Sequence, residues 1–101
     1  MIIVNAEAVV EEGAIEKVRA ALAKMEKASL AEPGCHVYAF STDISDPTMV
    51  RITERWESME ALEAHFKMPH MAEFMAAMGD LQPSSVDIKC YEIAREVPLP
   101  S

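Results

Sequence analysis

The sequence predicts an α+β fold in which strands and helices follow one another in the order β-α-β-β-α-β. Apolar residues alternate with a period of two in four segments and recur at helical spacing in the segments between them. Glycine and proline fall at the breaks between these segments. This order is the split βαβ arrangement of ferredoxin-like folds. It predicts an antiparallel four-stranded sheet in the spatial order 4-1-3-2, with all helices on one face.

The first half of the chain predicts a central strand, a long helix and an edge strand. Residues 2–10 carry apolar side chains on both faces, which is typical of a strand inside a sheet. Residues 14–30 show a helical apolar stripe, which Pro33-Gly34 terminates. Residues 35–42 alternate again and place Tyr38 inside the second strand.

The second half predicts a third strand over residues 49–57 and a fourth over residues 86–93. Between them, Ser58 is a good N-cap for a short helix. Pro69 suits the first position of a second short helix, and Gly79 is the expected end of that helix.

Size and charge limit the domain organisation, the partners and the location that are expected. The 101 residues predict a single domain over 1–101, with residues 98–101 as a flexible tail. A net charge of −8 argues against nucleic acid or an anionic membrane as partner. No apolar run is long enough to span a membrane, and the N-terminus lacks the basic region of a signal peptide. Two cysteines and eight methionines favour a reducing, cytoplasmic location.

The predicted sheet has one face without a cover. A second copy of the chain is the simplest cover, and symmetric dimers are the commonest oligomers, so we expect a homodimer. Cys35 and Cys90 fall on opposite edge strands, about 14 Å apart. That separation exceeds the limit of about 7 Å for a disulfide, so both thiols are expected to be free.

The candidate site lies where the third strand gives way to a helix. The only tryptophan, Trp56, stands there, and His65 follows nine residues later. Antiparallel pairing of the first and third strands is expected to bring Asn5 close to Trp56. A histidine titrates near neutrality and suits a general base. Asn5, Trp56 and His65 are therefore the predicted catalytic residues, against the simpler interpretation of a core tryptophan and a structural histidine.

Other kinds of site are not expected. His65 and His70 are five residues apart, which does not align them on one helical face, and Pro69 interrupts the register. The sequence therefore predicts no metal site. The three glycines are isolated, so there is no glycine-rich phosphate loop and no flavin or nucleotide fingerprint.

The chain resembles the antibiotic biosynthesis monooxygenase domain family along nearly its whole length. The resemblance implies a dimer whose two sheets form a shared α+β barrel, with a pocket between sheet and helices in each subunit. It also implies oxygenation of quinol-like or polyphenolic substrates without metal or flavin. The matching residues are Asn5, Glu32-Pro33-Gly34-Cys35 leading into Tyr38, Glu54-Arg55-Trp56-Glu57-Ser58, Ala61-Leu62-Glu63-Ala64-His65, Pro69-His70-Met71 and Phe74.

Under this resemblance, the expected function is a cofactor-independent monooxygenase that uses molecular oxygen on a small aromatic substrate. His65 would take the phenolic proton, and Asn5 and the Trp56 indole would hold the oxyanion. The predicted substrate-binding residues are Tyr38, Glu54, His70 and Phe74.

Alternatives stay open at the level of sequence. Asn5, Trp56 and His65 also match the haem-degrading branch of the superfamily, which would make haem the cofactor. The barrel could instead bind a small aromatic ligand without catalysis. An isomerase acting on a small phosphorylated signal is less favoured, because few cationic groups accompany the candidate pocket.

Overall fold

The secondary structure follows the predicted order, with two helices in the second helical region. In a computed structural model that describes residues 1–101, the sheet consists of four strands and the helices number three. The elements are β1 (Ile2–Val9), α1 (Ala14–Leu30), β2 (Cys35–Thr42), β3 (Met49–Trp56), α2 (Met59–His65), α3 (Pro69–Leu81) and β4 (Ser85–Glu92).

The sheet has the order β2-β3-β1-β4, and each neighbouring pair is antiparallel. This confirms the predicted ferredoxin-like α+β fold and the central place of β1. Ile2 of β1 lies opposite Trp56 of β3, and Val4 lies opposite Glu54. These four side chains are buried beneath the helices. Because side chains alternate along a strand, the odd-numbered residues of β1 face away from the helices.

The core has two neighbouring parts. One surrounds Trp56, and the other lies between α1 and the far end of the sheet. Phe40 and Phe74 pack against both parts. Their rings are 5.6 Å apart, so they join the two halves of the core.

A tight turn at Gly34 connects α1 to β2 and packs against the junction between β3 and α2. Gly34 has φ +83°, a conformation that side chains other than glycine rarely adopt. A Cβ at this position would stand 2.9 Å from the Cβ of Ala61. The backbone N–H of Glu57 donates to the Gly34 carbonyl at 2.7 Å. Glycine therefore allows this turn to press against the β3–α2 junction.

Helix α3 continues beyond its expected end at Gly79. It ends at Leu81, and Gln82 forms the C-cap with φ 46°. A glycine inside a helix costs about 1 kcal/mol relative to alanine. Leu81 is buried in the core, and burial of a leucine is worth about 1.5–3 kcal/mol, which offsets that cost.

The two cysteines are free, as expected, and lie on the two edge strands, Cys35 on β2 and Cys90 on β4. All eight residues of β4 are exposed. None of the three helices has the length and apolar character needed to cross a membrane.

Candidate functional site

A buried carboxyl group stands beside the tryptophan. The Trp56 indole N–H donates a hydrogen bond to Glu54 Oε1 at 2.9 Å. Both residues are buried, two positions apart on the helix-facing side of β3. The indole N–H is therefore already hydrogen-bonded within the chain. The sequence predicted a different partner for it, the oxyanion of a bound substrate.

A second buried carboxyl group bridges two histidines. Glu32 Oε2 lies 2.7 Å from His65 Nδ1 and 2.7 Å from His70 Nε2. Glu32 and His65 are buried, and His70 is partly buried. The other carboxylate oxygen, Glu32 Oε1, is buried and has no hydrogen-bond partner within the chain.

Local structure brings these three side chains together. Glu32 lies in the turn before Gly34, and its backbone N–H donates to the Ser29 carbonyl at 3.0 Å. His65 is the last residue of α2, which begins at the Ser58 cap. His70 is the second residue of α3.

The imidazole of His65 is enclosed by aromatic rings. The Trp56 ring lies 4.6 Å from it and the Tyr38 ring 5.4 Å from it, measured between centroids. His65 is 1% exposed. Because Nδ1 faces Glu32, a neutral imidazole that donates there carries its lone pair on Nε2. The packing therefore fixes both the orientation of the ring and the nitrogen that can accept a proton.

Burial changes the acidity of two neighbouring groups. The pKa of Glu54 is raised, chiefly because burial disfavours the carboxylate, although the Trp56 hydrogen bond opposes the shift. The pKa of Tyr38 is raised far above its usual range, mainly by burial and then by the charge of Glu54. Tyr38 therefore stays a neutral phenol at physiological pH.

An apolar cavity of about 220 Å³ lies on the same side of the sheet. Its apolar lining includes Phe40, Ile52, Phe74, Met75, Met78 and Ile88. Ile52 and Glu54 are two positions apart on one face of β3, so they are about 7 Å apart along the strand. The cavity lining therefore lies next to Glu54 along β3, whereas Glu32 and His65 are not part of that lining.

The predicted closeness of Asn5 and Trp56 is wrong. Asn5 pairs with Thr53 and is exposed, whereas Trp56 pairs with Ile2 and is buried. Successive side chains of a strand point to opposite faces, so Asn5 lies on the side of the sheet away from His65. The other predicted site residues are on the helix side: Tyr38, Glu54, Trp56, His65, His70 and Phe74.

The expectation that His65 and His70 do not come together is also wrong. Their spacing keeps them off one helical face, but they lie on two helices, and the chain turns between α2 and α3. That turn brings both rings to one carboxylate oxygen, with centroids 6.0 Å apart.

Glu32 was not predicted as a site residue. Its signal in the sequence is weak, because a glutamate after a helix and before Pro-Gly is usually solvent-exposed. Only the packing of the turn against α2 shows that this carboxylate is buried.

Comparison with known proteins supports the assignment of this chain to a family. Residues 1–77 match the model of the antibiotic biosynthesis monooxygenase family. The protein named Probable quinol monooxygenase YgiN, from Escherichia coli, is 35% identical over 75 residues, which cover 65% of this chain and 72% of the relative. An uncharacterized Synechocystis protein, sll1783, is 36% identical over 66 residues. That match covers 65% of this chain but only 45% of the longer Synechocystis protein.

Solved structures show the same fold. A proposed antibiotic biosynthesis monooxygenase from Deinococcus radiodurans superposes with a TM-score of 0.89 at 25% identity, covering 100% of both chains. Rv0793 from Mycobacterium tuberculosis gives 0.83 at 26% identity, covering 96% of this chain and 98% of that one. The chain described here belongs to the antibiotic biosynthesis monooxygenase family.

Proposed function

We propose that this chain is a cofactor-independent monooxygenase that hydroxylates a small quinol with molecular oxygen. The observation that carries the proposal is a buried histidine oriented by a carboxylate, on the same side of the sheet as an apolar cavity whose lining includes Ile52, two residues from the buried Glu54. The similarity to YgiN, whose name states a quinol monooxygenase, supports the same substrate class.

The size of the cavity favours a compact aromatic ring system. Benzene occupies an apolar cavity of about 150 Å³ in a protein core. The cavity of about 220 Å³ therefore accommodates one or two fused rings. Phe40 and Phe74 supply flat walls, and Met75 and Met78 adapt to an irregular outline.

His65 is the proposed base. Glu32 holds Nδ1, so Nε2 accepts the phenolic proton directly or through one water. This is the arrangement of a base and its orienting carboxylate in hydrolytic triads. Glu32 therefore acts as a positioning residue that also stabilises the imidazolium formed by proton transfer. His70 donates to the same oxygen and completes the support.

The overall reaction balances without an external reductant. Loss of a proton makes the quinolate electron-rich, so it reduces O₂. One oxygen atom forms a C–O bond to the ring, the C–H bond at that carbon breaks, and the second oxygen leaves as water. A naphthoquinol plus O₂ thus yields a hydroxynaphthoquinone plus H₂O. The quinol supplies the electrons, and the protein supplies the base and a dry cavity.

The test is oxygen consumption with menadiol prepared under argon. The assay contains a chelator, and the product is analysed by mass spectrometry after reaction in ¹⁸O₂. We expect uptake above the autoxidation rate, with one ¹⁸O atom in a hydroxylated menadione. His65→Ala should lower kcat/KM by about 100-fold or more, since general-base catalysis is worth about 10²–10⁴.

A matched control is His36→Ala. His36 is exposed and pairs with Glu57 on the surface, so its loss should leave turnover unchanged. Hydrogen peroxide as the sole reduced oxygen product would contradict a monooxygenase. Uptake that is the same in His65→Ala would contradict the base. Binding of menadione without turnover would favour a ligand-binding barrel.

No observation favours the haem-degrading alternative. Pockets for drug-sized ligands measure about 300–1,000 Å³, and haem is larger than most of those ligands. The cavity here is about 220 Å³, and the His65 ring is packed between Trp56 and Tyr38.

A further inference from the structure

We propose that Glu32, His65 and His70 form a binding site for one divalent transition-metal ion. The sequence predicted no metal site, because the two histidines lie on either side of Pro69. Their convergence on one carboxylate oxygen is visible only in the folded chain.

The geometry needs little change to hold an ion. The ligand atoms are a Glu32 carboxylate oxygen, His65 Nδ1 and His70 Nε2, and all lie within 4.8 Å of one another. Zinc binds such atoms at about 2.0–2.2 Å, so neighbouring ligands stand about 3.3 Å apart in a tetrahedral site. Each histidine nitrogen now stands 2.7 Å from the oxygen, so these two distances open by well under 1 Å, while the two nitrogens, within 4.8 Å of each other, move to a similar spacing.

The donor set selects the class of metal. Two imidazoles and one carboxylate suit Zn²⁺, Co²⁺, Ni²⁺ or Fe²⁺, whereas Mg²⁺ and Ca²⁺ prefer oxygen ligands alone. Three protein ligands leave a fourth position for water, as in open zinc sites.

A second, independent observation points to a cation. Glu32 Oε1 is buried without a hydrogen-bond partner, and the Glu32 side chain is 5% exposed. An unpaired oxygen on a buried carboxylate is costly. A divalent ion compensates this charge more fully than two neutral imidazoles do.

The surroundings suit a metal site in two further ways. The rings of Tyr38 and Trp56 hold the His65 imidazole in place, as supporting groups around metal ligands do. The His70 side chain is 16% exposed, so an ion reaches the site past His70 and the core does not have to open.

Metal binding has a consequence for His65. A neutral imidazole that coordinates through Nδ1 keeps its proton on Nε2. The nitrogen proposed to accept the phenolic proton then becomes a donor, so the metal-bound form is the inactive form. Binding itself is independent of the proposed oxygenase activity, because it is measured without substrate.

The experiment uses the full chain with Cys90→Ser, which removes the exposed thiol. Protein freed of metal by a chelator is titrated with Co²⁺, followed by visible d–d absorption, and with Zn²⁺, followed by calorimetry. We expect one ion per chain and no binding of Mg²⁺ under the same conditions. His70→Ala and Glu32→Gln should each weaken the affinity by at least about tenfold.

His36→Ala is the matched control, because the exposed His36–Glu57 pair offers similar groups at the surface. It should bind metal like the parent, and circular dichroism should show that every variant remains folded. Absence of binding, equal affinity in His70→Ala, or loss of binding in His36→Ala overturns the site. The cluster would then be a hydrogen-bonded ion pair alone. Metal binding by a protein that shows no oxygen uptake after its metal has been removed by a chelator would sink the oxygenase proposal and leave the metal site standing.

Discussion

Trp56 donates its indole N–H to the carboxylate of Glu54 at 2.9 Å, and both side chains are buried on one face of β3. The tryptophan therefore stabilises a buried carboxyl group two residues along β3 from Ile52, which lines the apolar cavity. Burial raises the pKa of this carboxyl group, and the charge of Glu32 acts in the same direction, whereas Trp56 and His65 lower it. Burial dominates, so Glu54 keeps its proton to a higher pH than an exposed glutamate.

This raised pKa predicts how stability changes with pH. The folded state binds the Glu54 proton more tightly than the unfolded state does. The resulting stability is present below the unfolded pKa of about 4.3 and is lost as pH rises through the folded value. Glu54→Gln keeps an acceptor for Trp56 and removes this titration. We compare the free energy of unfolding of Glu54→Gln with that of the parent at each pH. The difference should favour the variant by on the order of 1 kcal/mol more at pH 8 than at pH 4.

Urea unfolding at both pH values checks this prediction. Glu63→Gln is the control, since Glu63 is exposed and forms no ion pair, so its substitution should leave the pH dependence nearly unchanged. An identical pH dependence in parent and Glu54→Gln would show that Glu54 titrates as an ordinary glutamate.

The close approach of Gly34 to Ala61 makes a second prediction. Gly34→Ala combines a left-handed backbone with a Cβ 2.9 Å from Ala61. Gly13→Ala is a matched comparison, because Gly13 has the same φ of +83° but no atom within 4 Å of the added Cβ. Gly13→Ala should cost about 1–2 kcal/mol from the backbone alone. Gly34→Ala should cost about 1–3 kcal/mol more, from overpacking.

Chemical denaturation of the two variants measures the difference. Equal losses would mean that the turn relaxes away from α2 without cost. A larger loss in Gly34→Ala should also reduce metal affinity, because Glu32 precedes this turn.

The two cysteines should differ in reactivity. Burial, with the nearby charges of Glu32 and Glu54, raises the pKa of the Cys35 thiol to about 11. At pH 8 about one Cys35 in a thousand is then a thiolate, the form that reacts. Cys90 is exposed. Iodoacetamide at pH 8 should therefore label Cys90 first, as peptide mass spectrometry would show. Faster labelling of Cys35 would contradict its raised pKa.

The sequence predicted the fold well because the fold depends on periodic burial. Alternation located the strands within one or two residues, and the helical stripe located α1. The end of α3 was missed because the burial of Leu81 outweighs the weak helix propensity of Gly79. Local propensity cannot show which of these effects is stronger.

The candidate site was harder to predict because it depends on side-chain direction and on distant turns. Asn5 and Trp56 lie on paired strands, but they are three positions out of register and the alternation of a strand places them on opposite faces. Glu32 enters the site only because Gly34 packs against α2. No local pattern encodes that contact.

The exposed edge strand predicts self-association. Every residue of β4 is exposed, including Tyr91 on the sheet face away from the helices. Exposed edge strands with apolar side chains are usually covered by a partner. Light scattering after size exclusion should give twice the chain mass of 11.2 kDa. Tyr91→Glu should shift the protein towards monomer, whereas Met59→Glu, on an exposed part of α2, should not. A monomeric parent would contradict the expected homodimer.

The cavity predicts how substrate affinity can be altered without touching the polar groups. Ala8 is buried and lines the cavity near Val50, away from Glu32 and His65. Ala8→Leu places three more carbon atoms in a space of about 220 Å³, which leaves less room for a ring system. We expect KM for menadiol to rise about tenfold or more with a smaller change in kcat, because the base stays in place. Quenching of Trp56 fluorescence by menadione measures binding independently and should weaken in parallel. Ala20→Leu, on the exposed face of α1, is the control for added apolar volume. If Ala8→Leu leaves both KM and menadione binding unchanged, the substrate lies outside this cavity, even where oxygen uptake depends on His65.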